Sequence, residues 1–208
     1  MKEYSYYYFD FDGTLANSFP SLIHPFQVAF ATEGVFLSED DVNELMHMAF
    51  VQMCDKLGIH EEKRILHVYE VMTSEMNKDE EISKISIFPD AKEILLKLKG
   101  MGKKIAIVSG NHTDYIHRVM EIHHLSECFD FYVGGNSTKE AKPHPEPLLK
   151  AMELSGNPDK KECIYIGDSL QDVACAENAE IDGILIDRKG EYTDYSGKKI
   201  LSLKELYD

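Results

Sequence analysis

The chain has 208 residues, 43% hydrophobic and 28% charged, which suits one folded domain with or without a modest insertion and excludes wholesale disorder. Its 37 acidic residues against 22 Lys and Arg give a formal net charge of −15, a field that repels nucleic acid and anionic membrane and argues against both as partners. Cys54, Cys128, Cys163 and Cys175 have no CxxC or zinc-finger spacing and read as small buried residues of a reducing compartment. No basic-then-apolar leader opens the chain. The longest run without Asp, Glu, Lys or Arg, residues 13–32, contains Pro20, Pro25, Asn17, His24 and Gln27 and is no membrane span, so a soluble, cytoplasmic protein is expected.

Residues 4–9 read Tyr-Ser-Tyr-Tyr-Tyr-Phe and run into Asp10-Phe11-Asp12-Gly13-Thr14-Leu15. A short aromatic run stopped by Asp and Gly predicts a buried strand ending in a turn, and buried phenols need hydrogen-bond partners. From 17 to 84 the pattern turns helical and no strand is expected. Ser38 with Asp41 resembles a capping box ahead of Val42, Leu45, Met46, Ala49 and Phe50, with Gly58 as the stop. Ile65, Tyr69, Met72 and Met76 form a helical stripe from Glu61 onward.

Beyond Pro89, helices and strands alternate. The pattern predicts a helix capped by Asp90 and ending near Gly100 or Gly102, a strand over 104–109, and a helix over 113–123. A strand over 129–133 ends at Gly134-Gly135, a helix over 145–154 carries Pro145 near its start, and a strand covers 163–167. A helix over 170–179 and a last strand over 183–187 follow. Continuous apolar strands separated by helices predict a parallel sheet covered on both faces. The expected architecture is a Rossmann-like α/β core of residues 1–16 and 85–208, with a small all-helical insertion over 17–84 after the first strand.

Three strands end in polar groups: Asp10-x-Asp12, Ser109-Gly110-Asn111, and Gly167-Asp168-Ser169-x-x-Asp172, the last preceded by Lys142-Pro143. In an open parallel sheet, ligands bind beyond the carboxyl ends of the strands. The fold would therefore gather Asp10, Asp12, Ser109, Lys142, Asp168 and Asp172 into one crevice. Crowded carboxylates repel unless a cation sits among them, and oxygen donors without His or Cys favour a hard ion, here Mg²⁺. Asp10 and Asp168 would be its direct carboxylate ligands. Asp172, four residues past Asp168, can aim at the same place and hold metal-bound water or Lys142.

These four segments resemble, in content, order and spacing, the motifs of the haloacid dehalogenase superfamily. The insertion resembles the helical cap of its phosphoglycolate phosphatase and β-phosphoglucomutase branch. The resemblance implies that Asp10 attacks phosphorus to form an aspartyl phosphate, with Mg²⁺ and Lys142 cancelling charge. It implies that Asp12 protonates the leaving alcohol and then deprotonates the attacking water, while its backbone carbonyl ligates the metal. Ser109, Gly110, Asn111 and Lys142 would bind the phosphoryl oxygens. The dehalogenating relatives lack an acid equivalent to Asp12, so its presence favours phosphoryl transfer. In many relatives the amide follows the Ser or Thr directly; here Gly110 intervenes, which leaves the part played by Asn111 open.

Each segment alone has a plainer reading. An Asp pair after a strand is commonly a turn and cap, Lys142 a solvated lysine, and Asp168 with Asp172 a capped helix start. Only their joint pattern on an α/β scaffold favours catalysis. The nine histidines lack zinc spacing. Met46, Met48, Met53, Met72 and Met76 read as packing in the insertion, residues 78–81 as a solvated hinge, and Arg64 and His47 as solvated rather than substrate-contacting. The leading function is a Mg²⁺-dependent phosphatase acting on a small phosphorylated metabolite under a closing cap. A phosphomutase shares the core motifs. A receiver-type signalling module, the third reading, needs neither the second Asp nor the insertion.

Overall fold

The computed structural model describes residues 2–46, 48 and 50–207. The chain divides into two compact units, Met1–Asn17 with Ile87–Asp208, and Ser18–Ser86. The elements in chain order are β1 (Tyr6–Phe9), β2 (Ala16–Asn17), α1 (Phe19–Ala31), α2 (Glu39–Leu45), α3 (Phe50–Lys56), α4 (Glu62–Met76), α5 (Asp79–Ile82), β3 (Ser86–Ile87), α6 (Pro89–Gly100) and β4 (Lys104–Val108). They continue with α7 (Thr113–Ile122), β5 (Phe131–Val133), α8 (Glu146–Leu154), β6 (Cys163–Gly167), α9 (Leu170–Asn178), β7 (Asp182–Ile186) and β8 (Lys199–Ile200).

The first unit is a Rossmann-like α/β fold. Its six strands lie in the order β5-β4-β1-β6-β7-β8, and every neighbouring pair is parallel. Successive residues of a strand face opposite sides of a sheet, so Ile105, Ala106, Ile107 and Val108, all at most 1% exposed, require cover on both faces. Ile105, Ile107 and Val108 each contribute about 1.5–3 kcal/mol by this burial. Phenols of the N-terminal run find partners: Tyr8 Oη, in β1, lies 2.8 Å from Ser155 Oγ, Tyr4, ahead of it, donates to Asp182 Oδ2 at 2.8 Å, and Tyr207 donates to the Tyr7 hydroxyl at 3.1 Å. All four cysteines are buried and unpaired. The register sets Phe9 opposite Ile107 on one side and Ile166 on the other, so β1, β4 and β6 end at one rim.

Three expectations for this unit are corrected. Asp90 does not cap α6: Phe88 takes the cap position and Pro89 the first turn. One residue further in, the Asp90 carboxylate instead accepts from Arg188 Nη1 at 2.9 Å, Ser202 Oγ at 2.8 Å and the Leu203 N–H at 2.9 Å. The strand expected over 129–133 begins only at Phe131, because Ser126–Cys128 winds into a 3₁₀ turn just before it. β7 is not the last strand: Lys199 and Ile200 pair with Leu185 and Ile186, two residues being too few to show a sequence period.

The second unit is helical, and no strand lies within residues 18–85 among those described, but Asn17, expected to open the helical stretch, belongs to β2. The capping box is present: Ser38 Oγ accepts from the Asp41 N–H at 3.2 Å and Asp41 Oδ2 from the Ser38 N–H at 2.8 Å. The helix it starts stops at Leu45, and a separate α3 ends ahead of Gly58, which has φ +77°. Val42, Leu45, Met53 and Cys54 are all buried, so the apolar period runs through the break and does not register it. His47 and Ala49 lie outside the described residues. In α4 the buried positions are Val68 and Met72, while Tyr69 sits at the helix edge with its ring 5.4 Å from that of Phe50. The methionines pack as expected, Met53 and Met72 inside the core and Met46, Met48 and Met76 against it. Of residues 78–81, expected as a solvated hinge, Lys78, Asp79 and Glu80 are exposed, whereas Glu81 is 2% exposed and pairs with His24 Nδ1 at 2.9 Å and Lys84 Nζ at 2.7 Å. Arg64 pairs with Glu33 at 2.6 Å.

Candidate active site

The backbone at the rim is pinned before any side chain is considered. The Asp10 N–H donates to Ile166 O at 2.8 Å, extending the β1–β6 ladder by one residue and placing a buried carboxylate at the strand end. The turn after it closes through Gly13, whose N–H donates to Ala16 O at 2.8 Å. Gly13 has φ +69°, and a Cβ there would lie 1.9 Å from Asp168 Oδ2. Only glycine satisfies both demands, and the β1 and β6 loops therefore touch. On the other side the Ser109 N–H donates to Val133 O at 3.0 Å, holding Ser109 at the end of β4.

Lys142 is the centre of the cluster. Its Nζ donates to Asp10 Oδ1 at 2.8 Å, to Asp172 Oδ1 at 2.6 Å and to the Tyr165 hydroxyl at 3.1 Å, so its three protons have fixed partners. Tyr165 in turn donates to Val108 O at 2.8 Å. Asp172 is 1% exposed and serves two purposes. Its Oδ2 accepts from the Ser169 N–H at 3.0 Å and Oγ at 2.5 Å, closing a capping box on α9, while Oδ1 faces Lys142. A Cβ at Gly167 would stand 2.3 Å from the Asp172 carboxyl carbon, so a glycine is needed there as well. Asp12 accepts at Oδ2 from Asn111 Nδ2 at 2.5 Å.

Burial pushes the Asp10 carboxyl well above the usual carboxylate range; Lys142 opposes the shift, and Asp172, Asp168 and Asp12 add to it. Burial, reinforced by Asp172, likewise pushes Asp168 up to about 7. For Lys142, burial works against the charge, but Asp10 and Asp172 outweigh it and hold the ammonium above its ordinary range. One ammonium thus compensates only part of the negative charge. Carboxylate oxygens of Asp10, Asp168 and Asp172 lie within 4.8 Å of one another, an all-oxygen donor set that fits a hard divalent cation. Both Asp172 oxygens already accept from protein donors, which leaves Asp10 and Asp168 as the carboxylates suited to direct contact.

The structure thus brings Asp10, Lys142, Asp168 and Asp172 together, with Ser109 at the neighbouring strand end and Asp12 linked to Asn111. Sequence reasoning passed over two residues. Tyr165 carried a signal, since a phenol inside the aliphatic run Cys163–Gly167 must find partners. Arg188 carried none. Its Nε donates to Gly13 O at 3.1 Å and Nη2 to Thr14 O at 2.7 Å, Nη1 meets Asp90, and its guanidinium lies 3.9 Å over the Phe88 ring. It clamps the turn that follows Asp12.

A family model described as haloacid dehalogenase-like hydrolase matches residues 7–186. A phosphoglycolate phosphatase of Psychrobacter arcticus is 28% identical over 184 residues, covering 84% of this chain and 79% of that protein. Pyrophosphatase PpaX of Bacillus cereus is 28% identical over 173 residues, covering 82% and 77%. Some matches of higher identity are shorter: a phosphoglycolate phosphatase of Colwellia psychrerythraea is 33% identical over 98 residues, and the matched stretch spans only 43% of that protein. Among solved structures, a Bacteroides fragilis protein assigned to the haloacid dehalogenase-like hydrolases superposes with a TM-score of 0.85 at 26% identity, covering 98% of this chain and 100% of that one. A haloacid dehalogenase-like family protein of Streptococcus pneumoniae gives 0.81 at 20% identity over 99% and 98%.

Proposed function

Because the chain belongs to the haloacid dehalogenase-like hydrolase family, we propose that it is a Mg²⁺-dependent phosphatase that hydrolyses a small phosphorylated metabolite through an aspartyl phosphate on Asp10. The single observation that carries this reading is the ammonium of Lys142 bound at once to Asp10 and Asp172 inside a buried carboxylate cluster. Such a cluster is poorly stable by itself and well matched to a cation and a phosphoryl group. The relatives named phosphoglycolate phosphatase and pyrophosphatase support the class of substrate. We assign residues 1–17 and 87–208 to the catalytic core and 18–86 to the cap. Among the described residues no helix is long and apolar enough to cross a membrane, and four buried, unpaired thiols suit the cytoplasm.

In this mechanism the Asp10 carboxylate attacks phosphorus as the bond to the leaving oxygen breaks, and Asp12 gives that oxygen a proton. Water then attacks the aspartyl phosphate, Asp12 takes its proton, and inorganic phosphate leaves with Asp10 restored. Lys142 neutralises the Asp10 carboxylate in the resting site and is assigned to a phosphoryl oxygen, for which it would give up one of its present partners. Ser109 and the Gly110 N–H are assigned to the remaining oxygens, since the Asn111 N–H already donates to Ser109 Oγ. Asp10, Asp168 and the Asp12 carbonyl would hold Mg²⁺, with Asp172 behind them; the ion supplies charge neutralisation at the phosphoryl group.

The test is phosphate release from a panel that includes phosphoglycolate, pyrophosphate and sugar phosphates, with and without Mg²⁺. Asp10→Asn is expected to abolish turnover with the fold intact by circular dichroism, and retained turnover overturns the nucleophile. Asp12→Asn is expected to slow formation or breakdown of the covalent intermediate in burst kinetics. Isomerisation of a sugar phosphate without phosphate release would make the protein a mutase instead.

A further inference from the structure

We infer that Asn111 is a positioning residue for Asp12, holding that carboxylate toward the leaving oxygen through its side-chain amide, rather than a ligand of the phosphoryl group. The inference rests on the acid–base role proposed above for Asp12.

With Asp12 ionised, as it is when it takes the water's proton, the amide assignment follows from charge. Nδ2 of Asn111 lies 2.5 Å from Asp12 Oδ2. At that separation an amide oxygen would repel the carboxylate, so the NH₂ group faces it. The backbone of Asn111 is anchored at both polar atoms: its N–H donates to Ser109 Oγ at 3.2 Å and its carbonyl accepts from the Gly135 N–H at 2.8 Å. Those bonds tie it to the ends of β4 and β5. A short side chain on a pinned backbone has little freedom to lose, so the bond orients Asp12 at small entropic cost. Asp12 needs such a guide because it sits between Phe11, wholly buried, and the Gly13 turn, half-exposed at the rim.

The chemistry of the donor matters too. A carboxamide does not ionise at working pH, so it fixes the direction of a carboxylate without acting as a rival acid or base for the proton that Asp12 moves. Gly110 fits this arrangement. It separates Ser109 from the amide, so that Ser109 stays at the strand end while Asn111 reaches across to the β1 loop. The departure of the second motif from a directly adjacent amide thereby acquires a physical reason.

The discriminating experiment compares two aryl esters in single-turnover phosphoryl transfer by the full chain with Mg²⁺. p-Nitrophenolate leaves with little help, whereas phenolate needs the proton. Asn111→Ala is expected to slow phenol release from phenyl phosphate about tenfold or more, against the 10²–10⁴-fold typical of general acid catalysis, and p-nitrophenol release by less than about threefold. KM and the inhibition constant of inorganic phosphate should stay within about twofold. Equal losses with both esters and a raised phosphate inhibition constant would make Asn111 a phosphoryl ligand and overturn the inference, as would unchanged rates with both. If Asn111→Ala does not fold by circular dichroism, Asn111→Ser, which stays polar but cannot reach Asp12, carries the same comparison. A wild-type protein that cleaves neither ester defeats the phosphatase reading, an Asp10→Asn variant that cleaves both defeats the nucleophile assignment, and this inference falls with either. An Asp10-dependent enzyme with equal losses defeats this inference alone.

Discussion

At the residue scale the site is a problem in charge. Burial raises Asp10 and Asp168 above an unfolded carboxyl value of about 3.9. Between that value and about 7, the folded protein holds protons on Asp168 that the unfolded chain has released. These groups therefore favour folding below about pH 4, and that contribution is lost as the pH climbs through the folded value. A divalent cation binds the ionised form, so its benefit grows over the same range. Added Mg²⁺ is expected to raise Tm by several degrees at pH 8 and by markedly less at pH 5, measured by calorimetry in chelator-treated protein. Equal shifts at the two pH values would show that Asp168 does not govern cation binding. Asp172 illustrates why the residue type was legible but its full role was not. Its position four residues after Asp168 was readable as a helix start, and so was its reach to Lys142. That one carboxylate does both at once, through different oxygens, required coordinates.

At the element scale, the rim is an assembly of strand ends and the turns that leave them. The β1 turn is held on its outer side by Arg188, from beyond β7, which also joins it to Asp90 at the start of α6. Replacing Arg188 with Ala would strip two backbone carbonyls of their donor and leave the largely buried Asp90 without its cation. The expected cost is about 2–3 kcal/mol in urea unfolding, below the full value of a buried pair because Arg188 is partly solvated. A fall in kcat larger than any change in KM should accompany it, because the turn carries Asp12. A loss under about 0.5 kcal/mol would show that the clamp is a surface pair. The misread elements share one cause. Asp90 reads as a cap, Glu81 as solvent-facing, and the stretch from Ser38 to Gly58 as one helix, because cap propensity, charge and apolar spacing are local signals. In each case a distant partner or a chain break decided otherwise.

At the scale of the whole molecule, a net charge of −15 opposes the approach of any phosphorylated substrate. Lys142 is enclosed and mostly neutralised by Asp10 and Asp172, so it does little at long range. Raising ionic strength from about 10 to 150 mM shortens the screening length from about 30 to 8 Å and should raise kcat/KM severalfold for a dianionic phosphate. A fall over that range would mean that local cations dominate the approach. The sequence by itself determined the α/β class, the alternation of the longer helices and strands from α6 to β7, and the polar residues at strand ends, because period, apolar runs and Gly or Asp punctuation are properties of neighbours along the chain. Tertiary structure alone decided that β1 lies between β4 and β6, that Lys142 spends its protons on Asp10, Asp172 and Tyr165, and that Asn111 and Arg188 hold the loop around Asp12. Those are contacts across 23 to 175 positions of chain, and no local preference encodes a partner at that distance.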